Sequence, residues 1–322
     1  MSKESIRIIS IGAAIQDIFL RGKVFAAHKE GKQEIQEFVL GSKNEVESIV
    51  FSTGGGATNA AVTFARHGFD SGYMGMIGDD IAGKAVLEAL HKDGVDTALV
   101  SIDKQHNTGA SVILLSPNGE RTVLTYRGAS NQYDIDEHDL DSAHAQWLYI
   151  SSLSGDFAAL QAIVEYAKRH DIKVAINPGK GELQHNHHFL ELLPAITILG
   201  LNKEEMQQLY DGIAVEDAIR RAAEHIPYIL VTDGPNGAIA TDGTKLYRAG
   251  VYQDVPVVDR IGAGDAFNSG FVAKIAQGES VEAALTFASA NSTSVVSKIG
   301  AKAGILSARD PLHTMPIDVS QL

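Results

Sequence analysis

The 322-residue chain contains no cysteine, which excludes a disulfide framework and any thiolate zinc site and fits a reducing compartment. Positive charge is in deficit: 27 Lys and Arg stand against 40 Asp and Glu, a formal net charge of −13. That balance argues against a surface built to coat a nucleic acid, while leaving room for a local phosphate site. Long apolar runs are missing as well. No stretch could span a bilayer, and the opening MSKESIRIISIG lacks the apolar core of a signal peptide. The expectation is a soluble cytoplasmic protein with neither membrane nor nucleic-acid partners. Its length suffices for a large core, arranged as one large α/β domain with an appendage or as two domains.

What is present is densest in residues 257–272, VVDRIGAGDAFNSGFV. A β-branched run stops at Asp259. Small residues turn the chain at Gly262, Ala263 and Gly264, and apolar residues at helical spacing follow Asp265. The pattern predicts strand, glycine turn, helix. A helix start leaves backbone N–H groups unpaired and carries partial positive charge, so it attracts an anion. A carboxylate there would repel a phosphate it merely touched. Asp265 makes better sense as a general base taking a proton from a hydroxyl that attacks phosphorus. The plain alternative is an ordinary helix start with Asp265 as a first-turn charge.

Two other glycine runs compete for attention. In FSTGGGATNAAVTFARHG, residues 51–68, a dinucleotide fingerprint would need a third glycine where Asn59 stands. Residues Gly78 to Lys84 fit most of a P-loop, but Ala85 lacks the magnesium-binding hydroxyl, and Asp79 and Asp80 would repel phosphate. That stretch reads as a turn entering a surface helix.

Elsewhere, Ile6 to Ile11 predicts a buried first strand, and Asp17 follows it as a turn or cap residue or as a bidentate acceptor for sugar hydroxyls. Short strands are expected in EIQEFVL and ESIVF, and again in TGASVILLS and ERTVLTYRG around the turn Pro117-Asn118-Gly119. They suggest a small sheet standing off the main body. Tyr126 and Arg127 come near a substrate or face solvent. From Trp147 strands and helices alternate, which predicts a parallel sheet covered on both faces, with ligands at the carboxyl ends of strands. Asp17, Asn177, Asn202 and Thr232 fall at or just past such ends. Asn202 and Glu205 form either a cap or an oxygen network toward hydrated magnesium. Thr232, Gly234 and Gly237 approach nucleotide phosphates and ribose or make a turn. HNHH, residues 185–188, reads as a polar loop, since adjacent histidines diverge. Ala283 to Val296 predicts a helix of small residues with Asn291 toward adenine, and the tail from Ser307 is expected to be peripheral.

D-R-I-G-A-G-D-A-F, residues 259–267, resembles the C-terminal signature of the PfkB, or ribokinase-like, family of carbohydrate and nucleoside kinases. Arg260 stands where that signature commonly has threonine. The early Asp17, the G-G-x-x-x-N of Gly55, Gly56 and Asn59, then G-D-D, N-x-x-E and V-T-x-G follow in the family's order over nearly the whole chain. The resemblance implies one ribokinase-like α/β domain over residues 1–322, with helices on both faces of a mostly parallel sheet. A β lid would be formed from about 18–52 and 108–127, often used for homodimers. It implies ATP-dependent phosphoryl transfer to a hydroxymethyl group of a sugar or nucleoside. Asp265 would be the base, with the turn at Gly262 and the amides of Ala263, Gly264 and Asp265 stabilising charge. Asp17, Gly55, Gly56 and Asn59 would hold the acceptor. Asn202, Thr232, Gly234, Gly237 and Asn291 would hold nucleotide, and Glu205 would hold Mg2+ through water. The SKIGAKAG stretch resembles the family's K+ loop, implicating Asp259 and the carbonyls of Ile261, Val295, Lys298 and Gly300. Members acting on ribose carry a glutamate after the strand matching WLYIS; Ser151 and Ser152 stand here, so the acceptor is another sugar or a nucleoside. A binding protein that has lost catalysis is the alternative of a different class.

Overall fold

Strand Arg7–Ile11 shows how the main sheet is built: its last four residues are buried, with successive side chains pointing to opposite faces. Ile8 joins one core with Phe64, Trp147, Tyr149, Phe267 and Phe271, while Ile9 and Ile11 join a second with Leu148, Ile163, Val174, Phe189 and Ile219. Both faces are therefore covered by helices, which is why the strands read as continuous apolar runs. The computed structural model describes residues 5–118, 120–253 and 255–322. Its large sheet has ten strands, in the order Ile317–Gln321, Lys245–Ala249, Ala238–Thr241, Tyr228–Thr232, Ile198–Asn202, Lys173–Asn177, Trp147–Ser151, Arg7–Ile11, Asp70–Gly78 and Val100–Asp103. Neighbours from Tyr228–Thr232 onward are parallel. The first three strands form an antiparallel edge.

A separate four-stranded sheet has the order Ser48–Gly54, Ile15–Arg21, Gly109–Leu115, Arg121–Tyr126. The alternation along Ile15–Arg21 buries Asp17 and Phe19 on the face turned toward the main body. The opposite face, carrying Ile49, Phe51 and Leu124 in register with Leu20, Ile18 and Val112, is exposed at its edges.

Several sequence expectations change. The β-branched run before Asp259 forms no strand. Val257 and Val258 are exposed, and the amides of Val258 and Asp259 both donate to the Val296 carbonyl instead of to a sheet neighbour. Of EIQEFVL only the first two residues are in a strand, Gln33–Ile35, and Val39 and Leu40 are exposed. Asp17 lies inside a strand of the small sheet rather than in a turn after the first strand. HNHH belongs to a short helix, Asn186–Leu192, because His185 and Asn186 start a turn that buries Phe189 and Leu192. The tail is not wholly peripheral: Ile317–Gln321 completes the edge of the large sheet. Gly119 of the expected hairpin turn lies outside the described residues.

Candidate active site

Helix Ala263–Ala276 starts at Gly262, whose φ of 79° is left-handed. A side chain there would also overlap Ala301, so glycine is required twice over. No side chain caps this start. Among the described residues the amides of Gly264 and Asp265 have no hydrogen-bond partner, and the space around the Gly264 α-carbon is open. Unpaired donors plus the helix dipole give this start the capacity to receive an anion.

Asp265 sits in the first turn, and its Oδ2 accepts from Asn59 Nδ2 at 2.7 Å. Asn59 comes from the first turn of helix Gly56–Arg66, whose start at Gly55 needs a φ of 98°. Burial pushes the Asp265 carboxyl above its ordinary value; the Asn59 amide and the positive charge of Lys302 pull it back down. Lys302 is itself buried. Its ammonium donates to Thr53 O at 2.9 Å, Thr58 Oγ1 at 2.8 Å and Asn59 Oδ1 at 2.8 Å.

The space above Gly56 is where these groups converge. A β-carbon on Gly56 would overlap Ser151 Oγ and lie 3.2 Å from Asp265 Oδ1, so both side chains close on the Gly56 α-carbon. Asp17 approaches from the small sheet. Its Oδ2 is buried with no partner, directly over the Gly54 α-carbon. An unpaired buried carboxylate oxygen is costly unless a ligand supplies donors. Burial raises its pKa to about 6; Lys302 lowers it, while Asp259 and Asp265 raise it. The loop after Trp147–Ser151 is fixed from behind by Glu182, which is buried and accepts from the amides of Leu153, Gly155 and Gly179 at 2.7, 2.8 and 2.7 Å. Ser152 Oγ also donates to it. Glu182 therefore holds the loop and has little left to offer a ligand. Tyr126 is half exposed, and Arg127 Nη1 donates to Ser154 Oγ at 3.0 Å.

On the other side of the helix start, Thr232, Gly234, Gly237, Ala263, Gly264, Phe267, Ser289 and Ser292 line one open cavity. Asn202 pairs with Thr232 at the strand ends, where Asn177 is likewise the last strand residue. Asn202 and Glu205 form a reciprocal cap: Glu205 N donates to Asn202 Oδ1 at 2.9 Å and Asn202 N to Glu205 Oε2 at 2.8 Å. Asn291 does not reach this cavity. It is fully buried, with Nδ2 donating to Ala266 O and Oδ1 accepting from Leu306 N, each at 2.8 Å, so both ends of its amide are spent on backbone.

Asp259 is buried and gathers the neighbouring loops, accepting from Ile261 N at 3.0 Å and Gly300 N at 3.2 Å. The Val295 and Gly300 carbonyls accept from Lys298 N and Ala303 N. The Arg260 side chain is exposed. Residues 78–84 end a strand and start helix Ile81–Lys92, capped by Asp80, which accepts from Gly83 N and from Thr108. No group of three or more histidines and acids that could hold a metal occurs among the described residues, nor any helix long and apolar enough to cross a membrane.

Sequence reasoning missed Lys302, the approach of Ser151 to Gly56 and the need for Gly54. Lys302 stands among small residues in GAKAG, where its charge suggests solvent; only the surrounding acids reveal why it is buried.

Comparison with known proteins shows the family. Residues 28–308 match the family model described as "pfkB family carbohydrate kinase". Ribokinase of Haemophilus influenzae is 27% identical over 271 residues, covering 81% of this chain and 86% of that protein. The ATP-dependent ribose-1-phosphate kinase of Halopiger xanaduensis is 30% identical over 262 residues, covering 78% and 82%. Among solved structures, Arabidopsis thaliana ribokinase complexed with ribose and ATP superposes with a TM-score of 0.77 at 23% identity, over 94% of this chain and 96% of that one. The chain belongs to the pfkB family of carbohydrate kinases and is a phosphotransferase with an alcohol group as acceptor.

Proposed function

We propose that the protein transfers the γ-phosphoryl group of ATP to a primary hydroxyl of a small sugar. Asp17, Gly55 and Gly56 hold the acceptor, and Asn59 helps place it by orienting the Asp265 carboxylate. Asp265 takes the hydroxyl proton, and the amides of Ala263, Gly264 and Asp265, turned by Gly262, take up negative charge on the transferring group. The carrying observation is the Asp265 carboxylate at an uncapped helix start, bonded to Asn59 through Oδ2 and turned toward the Gly56 α-carbon with Oδ1.

The triphosphate would run from that helix start toward Thr232, Gly234 and Gly237, which share its cavity. The residues there fit a hydrated Mg2+: Asn202 and Glu205 offer hard oxygen atoms, and Glu205 Oε1 has no protein partner among the described residues. Bound magnesium would neutralise phosphate charge. The loop of Asp259, Ile261, Val295, Lys298 and Gly300 is rich in oxygen donors, and each engaged carbonyl keeps a second lone pair, which suits K+. The small sheet acts as a lid, formed by about 18–52 and 108–127 on a single domain. Its exposed outer apolar face, with Ile49, Phe51 and Leu124, seats a second copy in a homodimer. The reaction belongs to the cytoplasm, without nucleic-acid or membrane partners.

An ADP-release assay over aldoses, ketoses and nucleosides, with wild type and Asp265→Asn, tests the reading. Turnover with a sugar that falls about 10³-fold in the variant supports it. Turnover confined to nucleosides moves the acceptor to that class. Acceptor binding without turnover, unchanged by the substitution, would make the chain a binding protein.

A further inference from the structure

An asparagine amide can be turned end for end, and a base is helped only by the nitrogen end. Asn59 sits between a carboxylate and an ammonium, so one orientation alone satisfies both neighbours: Nδ2 to Asp265, Oδ1 to Lys302. The ammonium cannot drift, because its other two hydrogens are committed to Thr53 O and Thr58 Oγ1. Thr58 in turn donates to Gly54 O at 2.6 Å, beneath the unpaired Asp17 oxygen. The Lys302 backbone is anchored as well. Its carbonyl accepts from Arg66 Nη1 at 3.1 Å, and the Arg66 Nε donates to Asp93 at 2.7 Å. One side chain from the C-terminal segment thus ties a strand end, a helix start and the carboxylate of a second helix together.

We propose that Lys302 is a positioning residue for phosphoryl transfer. Its ammonium fixes the Asn59 amide so that it donates to Asp265, and its charge keeps that carboxylate ionised beside the acceptor. This rests on the reading of Asp265 as the base. The charged groups facing Lys302 are Asp17 from the small sheet, Asp265 from helix Ala263–Ala276 and Asp93 beyond helix Ile81–Lys92, all of which favour the ammonium. Arg66, whose Nη1 donates to the Lys302 carbonyl, is the one cation among the described residues that faces it. A neutral residue here would leave Asp265 and Asp17 with no cation in their pocket, and both carboxyls would rise further.

The test compares wild type, Lys302→Met and Lys302→Gln by steady-state kinetics across pH, with folding followed by circular-dichroism melting. Lys302→Met is expected to lose about 10²-fold in kcat, since a misaligned base costs about that much. Its KM for ATP should stay within about two-fold. The acid limb of its kcat/KM for acceptor should move up by about one pH unit, because an unscreened carboxylate holds its proton longer. Lys302→Gln, which can donate to Asn59 Oδ1 without a charge, should regain part of kcat while keeping the displaced limb. Folded variants with unchanged kcat and an unmoved acid limb overturn the proposal. Failure of both variants to fold assigns Lys302 to stability alone and overturns it too. Asp265→Asn separates the two readings: if that variant keeps its turnover the base itself is wrong, whereas a dead Asp265→Asn beside fully active Lys302 variants removes only the positioning role.

Discussion

The two halves of the cleft are built from different materials. On the proposed nucleotide side, Thr232, Gly234, Gly237, Ala263, Gly264 and Ser289 present backbone and small polar groups around an open cavity. On the proposed acceptor side, Asp17, Asp265 and Lys302 crowd together, two carboxylates and one ammonium held largely out of water. Backbone dipoles cost nothing to orient once the helix has formed, and they hold a charge that arrives with its own ions. Buried side-chain charges cost stability whenever their partners are incomplete. The acceptor half should therefore dominate pH dependence and trade stability for chemistry, while the nucleotide half, where burial raises only the Glu205 carboxyl, should depend on both much less.

The strongest way to break this contrast is to fill the acceptor half. Gly56→Ala places a methyl against Ser151 Oγ and 3.2 Å from Asp265 Oδ1. We expect kcat to fall about 10²-fold, as a displaced acceptor requires. The KM for ATP should be unaltered, because no cavity-lining residue on the nucleotide side is touched. A raised KM for ATP with normal kcat would show that the two halves are not separable.

Asp17→Asn should sharpen it. The substitution keeps the shape and removes the charge, so acceptor KM is expected to rise about 10-fold or more, matching the loss of charged hydrogen bonds. In the wild type the same KM should climb as pH falls through about 6, where Asp17 takes up its proton. The stability effect has the opposite sign. A carboxyl whose folded pKa lies above its unfolded value binds protons more tightly in the native state, so stability rises as pH falls between about 6 and the ordinary carboxylate range. Asp17→Asn should therefore melt higher than wild type at pH 7.5, with the gap closing on acidification. A lower melting temperature at pH 7.5 would mean that the carboxylate is a net stabiliser and that the acceptor half carries no such cost.

Legibility in the sequence follows the same division. The alternating strands and helices after Trp147 and the glycine-started helix at Gly262 are local patterns, written in neighbouring residues, and both are found where their spacing placed them. Whatever depends on distant neighbours was not readable. The β-branched Val257 and Val258 look like a strand but have only the end of helix Val281–Val296 beside them, which offers a carbonyl and no ladder. Lys302 lies 243 residues from the Asn59 amide that it holds, and a lone lysine among small residues carries no mark of burial. Ser151 acquires a role only because glycine at 56 leaves room above it.

Asn291 supplies the smallest predicted effect on activity. Helix Val281–Val296 runs beside the nucleotide cavity, and its small residues invite the assignment of any polar side chain on it to adenine. Position within the turn decides otherwise. Ser289 and Ser292 face the cavity, whereas Asn291 points inward, tying Ala266 O in one helix to Leu306 N in the segment that leads back from Lys302. Asn291→Ala leaves the buried Leu306 amide without a partner and takes the second bond from the Ala266 carbonyl, a loss of about 2 kcal/mol and roughly 5 °C in melting temperature. The KM for ATP should not change at temperatures where the variant is folded. An unchanged melting curve with a several-fold higher KM for ATP would instead put the amide in the nucleotide half, and the division between a half made of backbone and a half made of buried charge would have to be redrawn.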